Sequence, residues 1–377
     1  MHPDVVVIGG GIIGACCAYY LAEAGVRVQL LERGPISSGA SGACQCGIGH
    51  VNEGVGRRLT MASNRLYREL APQLPIDIEL NIRGNVYVAL TPDQWENLQR
   101  TARSLHGSGI RYELLDPRQL LELEPNITAA ALGGLHFPDD GTVQSILATI
   151  GFALGAKNHG AGIRPFTEVT GIEVNRGAVR AVLTSSGRIP TGAVVNAAGA
   201  WSCAVGRMAG VEVPVVPRKG HIVVTEVAPK LINGYLMDAG YFDAVADNDA
   251  DLAVAMVVGQ TQSGTLLLGS SRQFAGYDRA VDPLVVSKII QRCISFVPRL
   301  ETLHAIRTYA GLRPSSPDFE PIIDHSESVD GFFVATGHEG EGITMGPVTG
   351  KVIAQLVTGQ ESEIELEKLK LSRFSLN

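Results

Sequence analysis

The sequence predicts an α/β protein with two domains: one built on a parallel sheet, and an α+β second domain built on an antiparallel sheet. Three observations carry this. At 377 residues the chain is longer than a typical single domain. Its first stretch, DVVVIGGGIIGACCAYYLAEAGVRVQLLE, runs from an apolar segment through a glycine turn and a helical segment to a second apolar segment, the order of a parallel βαβ unit. Later stretches instead alternate apolar and polar residues in short runs, the pattern of antiparallel strands with one wet face.

Residues 4–8 are apolar enough for one buried parallel strand. Gly9, Gly11 and Gly14 follow as G-x-G-x-x-G, 12–24 reads as a helix and 26–31 as the next strand, which Glu32 closes. The spacing gives each residue a task. Gly9 permits the tight turn, Gly11 lets a pyrophosphate approach the backbone, and Gly14 lets the helix pack closely on the sheet. The helix start at Ile12 and Ile13 offers unpaired N–H groups and a positive dipole end to phosphate. Glu32 can accept hydrogen bonds from a ribose. Together these predict a dinucleotide site.

The stretch 36–56, ISSGASGACQCGIGHVNEGVG, has little periodicity and reads as a long functional loop. Ser38 and Ser41 in it can donate to phosphates. Helical spacing covers 59–74 and 92–105, and 115–125 reads as a turn followed by a short helix. Strands are expected at 82–90 and 133–138, and a helix at 142–157. The segment 163–174 leads into a hairpin at 175–177. Residues 188–196 then rise into one strand, followed by AAGAWS, where another glycine brings backbone near a ligand. Alternation at 213–227, 252–258, 265–268 and 308–312 predicts the antiparallel sheet. A helix at 283–296 and a strand at 332–335 precede TGHEGEGIT, and 346–357 is expected to be a helix with proline in its first turn.

Composition narrows the function. Hydrophobic content of 45% and charged content of 18% suit a large packed core. A net charge of −7 gives no electrostatic case for nucleic acid or an anionic membrane. No run reaches the roughly 18 apolar residues of a membrane span. The first apolar run contains Asp4 and lacks a basic flank, so it reads as a core strand and not a signal peptide, and a cytoplasmic location is expected. Cys16, Cys17, Cys44, Cys46, Cys203 and Cys293 are expected as free thiols. Cys44 and Cys46, as C-x-C, form neither a redox motif nor a sufficient metal set.

Gly-rich ligand loops recur near residues 40, 199 and 340, which fits an extended FAD better than a nicotinamide cofactor. The segments VVVIGGGIIGACCAYYLAEAG, GASGA, VVNAAGAWS, PRKGHIVVTE, GLRPSSPDFEPIID and TGHEGEGITMGPVTGKVIAQL resemble, in order, the D-amino-acid oxidase family of flavoproteins, which includes glycine and sarcosine oxidases. The resemblance implies a Rossmann-like FAD-binding domain at 1–80, 142–212 and 320–377, and a substrate domain at 81–141 and 213–319. It places Gly9, Gly11, Gly14, Glu32, Arg33, Ser38 and Ser41 at the ADP part of FAD, and Val169 at the adenine. Ala198, Gly199 and Trp201 would line the cofactor. Gly337, Gly340, Gly342, Ile343 and Thr344 would wrap the flavin end, with the last helix aiming its dipole at the ring and stabilising negative charge on reduced flavin. Arg313 falls where the family holds a substrate carboxylate, a task suited to a planar guanidinium. Arg272 is a second candidate, and His50 and Glu53, in the first long loop, are further candidates for approaching the flavin. His338 is expected to be a loop histidine bonded to backbone.

The loop GACQCGIGHVNEG resembles the smaller subunits of multi-subunit amine dehydrogenases: opine oxidase, hydrogen cyanide synthase, D-hydroxyproline dehydrogenase and heterotetrameric sarcosine oxidase. This implies oxidation of an amine carbon, first of all in an opine such as octopine or nopaline. It also implies a larger alpha subunit with an iron–sulfur cluster and a second flavin site, which can associate the complex with a membrane. The stretch GTVQSI lacks the histidine that carries covalent FMN in sarcosine oxidase, leaving open a non-covalent FMN between subunits.

Overall fold

The computed structural model describes residues 2–45, 47–49, 54–241 and 252–374. Val5–Ile8 lies inside a six-stranded sheet ordered Ile322–His325, Phe332–Thr336, Ala193–Asn196, Val5–Ile8, Val28–Leu31, Gly162–Arg164. Every pair is parallel except the first. All four residues of Val5–Ile8 are buried, as expected for a parallel strand covered on both faces.

Helix Ile12–Glu23 is buried nearly all round, because Ser145–Asn158 and Gly342–Thr358 pack against it. That is why 12–24 shows no amphipathic stripe. Glycine makes the approach possible: a Cβ on Gly350 would fall 2.5 Å from the carbonyl carbon of Cys16, and one on Gly346 would fall 2.8 Å from the Ile12 side chain.

The second sheet has eight strands, ordered Ala305–Ser315, Val216–Val227, Thr265–Arg272, Ala253–Gln260, Tyr235–Asp238, Asn85–Ala89, Gly133–Phe137, Glu113–Leu115. It is antiparallel but for Tyr235–Asp238, which runs parallel to Asn85–Ala89. Helix Pro283–Phe296 covers it with Val285, Ile289, Cys293 and Phe296. Val169–Asn175, Ala178–Thr184 and Gly187–Pro190 form a separate antiparallel sheet. Its first hairpin turns at Arg176 and Gly177, both at positive φ.

Three expectations are corrected. The single strand expected at 188–196 is two strands in different sheets, Gly187–Pro190 and Ala193–Asn196. Pro190 cannot donate to a ladder, and the chain leaves its antiparallel partner there to pair with Val5–Ile8. The 36–56 loop is shorter than expected: it holds a 3₁₀ turn at Ala40–Gly42, a strand Gly47–Ile48 paired with Gly141–Thr142, and the start of helix Gly54–Leu70.

The last helix begins at Gly342 and not at 346, so Pro347 lies inside it. Proline supplies no N–H to the Ile343 carbonyl four residues back. The Tyr67 hydroxyl donates to that carbonyl at 2.7 Å, which removes the cost of an orphaned acceptor. Among the described residues no helix is long and apolar enough to cross a membrane, and Cys16, Cys17, Cys44, Cys203 and Cys293 are free thiols.

Candidate active site

A cavity of about 580 Å³ lies between the carboxyl ends of the parallel strands, at Ile8, Leu31 and Ala197, and the eight-stranded sheet at Ile222, Met237 and Val257. This is the position the topology of an open α/β sheet favours for a ligand. Gly9, Gly11, Ile12, Ile13, Glu32, Arg33, Ser38 and Ser41 line one end of it. Gly14 does not: a Cβ there would run into the Gly9 carbonyl oxygen, so this glycine serves helix packing. Ser41 Oγ accepts from the Ile12 N–H at 2.9 Å, which leaves its O–H to donate. Glu32 accepts from Gly10 N–H at 2.7 Å and Gly34 N–H at 2.8 Å, fastening the glycine turn to the loop after its strand.

Val169, Ala198, Gly199 and Trp201 continue the wall. The Arg33 guanidinium lies 4.0 Å over the Trp201 ring, and Trp201 stacks on Tyr277 with centroids 5.6 Å apart. The Tyr277 hydroxyl donates to the Ala200 carbonyl at 3.0 Å. This column joins the two sheets through a tyrosine that no motif singles out.

Gly340, Gly342, Ile343 and Thr344 line the far end, where the last helix starts, while Gly337 turns the chain outside the wall. His338 also lines the cavity. Its Nε2 meets Thr349 Oγ1 at 2.9 Å, a side-chain partner instead of the expected backbone one. Burial pushes its pKa down to about 3, so the imidazole is neutral.

Arg313 stands in the wall near this end. Antiparallel pairing sets it opposite Arg218 and sets Gly220 opposite Gly311. Its Nη1 donates to the Ser271 carbonyl at 2.9 Å. Its guanidinium occupies the space beside Gly220, where a Cβ would fall 2.6 Å from Cζ. Burial and the charge of Arg272 both push its pKa below the usual arginine value, against the opposing charge of Glu339.

Arg272 is fully buried and is not part of the wall. Its Nε donates to Glu339 Oε1 at 3.1 Å, and its Nη2 to the Tyr241 hydroxyl at 2.7 Å. Arg218, equally buried, lies between the Phe274 and Phe319 rings and 3.6 Å from Glu339. Burial alone would raise the Glu339 carboxyl, but Arg272, Arg313 and Arg218 outweigh it and hold it below the usual range. His50 and Glu53 lie outside the described residues.

Glu339, Tyr241 and Gly220 were not foreseen as site residues. Glu339 and Gly220 lie within TGHEGEG and PRKGH, but their partners come from other strands and spacing does not reveal them. An acid inside a Gly-rich turn was the available signal.

The chain matches the FAD dependent oxidoreductase (DAO) family over residues 4–356. It belongs to that family. The protein is therefore an FAD-dependent oxidoreductase. Glycine oxidase from Geobacillus kaustophilus is 30% identical over 380 residues, covering 98% of this chain and 97% of that protein. The crystal structure of glycine oxidase from the same species superposes with a TM-score of 0.91 at 28% identity, over the full length of both chains. Hydrogen cyanide synthase subunit HcnC from Pseudomonas aeruginosa is 28% identical, over 98% of this chain and 96% of that one. L-Proline dehydrogenase from P. horikoshii matches with a TM-score of 0.90 at 26% identity, covering 99% and 98% of the two chains. The expected architecture, a Rossmann-like FAD-binding domain joined to a second sheet, holds.

Proposed function

We propose that FAD is held along this cavity and that the chain oxidises the C–N bond of an amino-acid-type amine whose carboxylate meets Arg313. The residues fit the cofactor. Gly11 leaves the backbone open beside Ser41, where a Cβ would sit 3.1 Å from the hydroxyl. Val169 and Glu32 would flank the adenosine, Gly11 and Ser41 the pyrophosphate, and Gly342, Ile343 and Thr344 the ring. When bound, FAD supplies the hydride acceptor.

The chain's own residues do the rest. Arg313 offers a planar donor edge to a carboxylate. The apolar wall at Ile222, Met237 and Val257 keeps water from the reacting carbon. The helix start at Gly342 presents N–H groups with no partner in the helix. Across the reaction the substrate loses a hydride from carbon and a proton from nitrogen, giving an imine that water splits.

The finer reading is an opine, such as octopine or nopaline, split into an amino acid and a 2-keto acid by this chain as the catalytic beta subunit of a heteromeric complex. The likeness of GACQCGIGHVNEG to such subunits supports it, as does the relation to HcnC, itself named as a subunit. A second reading is a self-sufficient glycine oxidase type, favoured by the likeness to glycine oxidase in sequence and structure.

The observation that carries the reading is the Arg313 guanidinium in the cavity wall. The test is anaerobic reduction of the bound flavin by octopine, nopaline, D-hydroxyproline and glycine. Reduction by none of these amines would sink it. Turnover of the chain alone, with oxygen as sole acceptor, separates the two readings: full activity without a partner favours the second, and activity only on co-expression with the larger subunit favours the first.

A further inference from the structure

We propose that Glu339 is a positioning residue for substrate: it holds Arg272 out of the cavity wall, so that of this pair only Arg313 meets the substrate's carboxylate. The proposal rests on the reading that Arg313 binds that carboxylate. The two guanidiniums are near neighbours, and a Cβ on Gly340 would lie 3.4 Å from Arg272 Nη2 and 3.8 Å from Arg313 Nε. Glu339 sits nearer one than the other. It is 3.1 Å from Arg272 Nε but 4.0 Å from Arg313 Nε. One buried carboxylate thus faces three guanidiniums, Arg272 at 3.1 Å, Arg218 at 3.6 Å and Arg313 at 4.0 Å, and the excess positive charge meets the cavity at Arg313, the one farthest from it.

Glu339 is also fixed to the strand that carries Arg313. Its N–H donates to the Pro314 carbonyl at 2.9 Å, and His338 bridges to Ser315. Its φ is 44°, a left-handed conformation that is costly for a side chain other than glycine and is held here by those contacts. Without the carboxylate charge, Arg272 keeps only neutral acceptors, Tyr241, Ser270 and the amide oxygen that glutamine leaves at 339, and its uncompensated charge competes with Arg313 for any carboxylate that enters.

The test is E339Q in the FAD-loaded enzyme, with acetate as the probe, read by perturbation of the flavin spectrum. Acetate should bind about tenfold more tightly, the worth of one added charge-assisted hydrogen bond. Turnover number should fall by a similar factor because the carboxylate sits off its productive place. E339D should recover part of the turnover. A merely structural residue would weaken both together, so a parallel loss, or no change in either, would overturn the proposal. If E339Q does not retain FAD, the double variant E339Q/R272M decides. Wild-type acetate affinity in it supports the proposal, and loss of FAD or of acetate binding refutes it. Failure of the underlying reading looks different: R313K would then leave acetate binding of the otherwise wild-type enzyme unchanged.

Discussion

At the Glu32 end of the cavity the wall is mostly backbone with small or apolar side chains, Glu32 and Arg33 being its charged members, and is drawn mainly from residues 9–41. At the Arg313 end Tyr241, Arg313 and Glu339 line it with Arg218 and Arg272 buried behind them, and these five residues come from five separated segments. The first end recognises by what is missing: side chains that would block a close approach, and N–H groups that a helix cannot use. The second recognises by charge, and charge under burial has to be balanced by partners. A single substitution at the first end therefore removes space, and one at the second redistributes charge among several groups.

The largest effects should come from testing the two kinds of glycine at the first end. Gly14→Ala places a Cβ against the Gly9 carbonyl oxygen, and it should cost about 3 kcal/mol of folding stability in chemical denaturation. Gly11→Leu faces the cavity and should leave the melting of the FAD-free protein near wild type while abolishing FAD uptake. If Gly11→Leu also unfolds the chain, the distinction between packing and cofactor glycines fails.

At the second end, Arg313→Lys should raise KM about 10- to 100-fold with flavin content unchanged, because a point charge replaces a two-pronged donor. Gly220→Ala should act in the same direction and less strongly, about tenfold, by displacing a guanidinium whose own bonds remain available. A Gly220→Ala enzyme with unaltered KM would show that the guanidinium has room elsewhere.

His338 gives a smaller effect, confined to acid. Its folded-state pKa is about 3 against an ordinary 6.5. Between those values the unfolded chain binds a proton that the folded chain does not, so the histidine's contribution to stability is lost as pH falls from 6.5 to 3. Above 6.5 it adds no slope. His338→Gln should therefore fall less steeply than wild type across that window in denaturation at fixed pH, and parallel curves would remove His338 as the cause. The smallest effect belongs to the column linking the two sheets: Tyr277→Ala should weaken FAD binding by about 1 kcal/mol, the worth of one aromatic pair, in a flavin-release titration.

What is local was legible in the chain's residues. Val5–Ile8, the glycine turn, Ile12–Glu23 and Glu32 follow from residues near one another, since strand, turn and helix start are decided within a few residues. Helix Pro283–Phe296 has the bounds its periodicity predicts. Arg313 was legible only through the likeness of GLRPSSPDFEPIID to a known family. The rest depends on contacts between segments far apart in the chain. Pro347 marks a helix start by local rules, yet Tyr67, hundreds of residues away in sequence, meets the carbonyl it orphans and lets the helix begin at Gly342. Residues 188–196 read as one strand until the pairing partners of each half are known. Glu339 and Gly220 acquire their roles from cross-strand register and from guanidiniums elsewhere in the chain. Propensity and spacing act over a few residues, whereas the balance of buried charge and the room beside a side chain are properties of whatever the fold brings into contact.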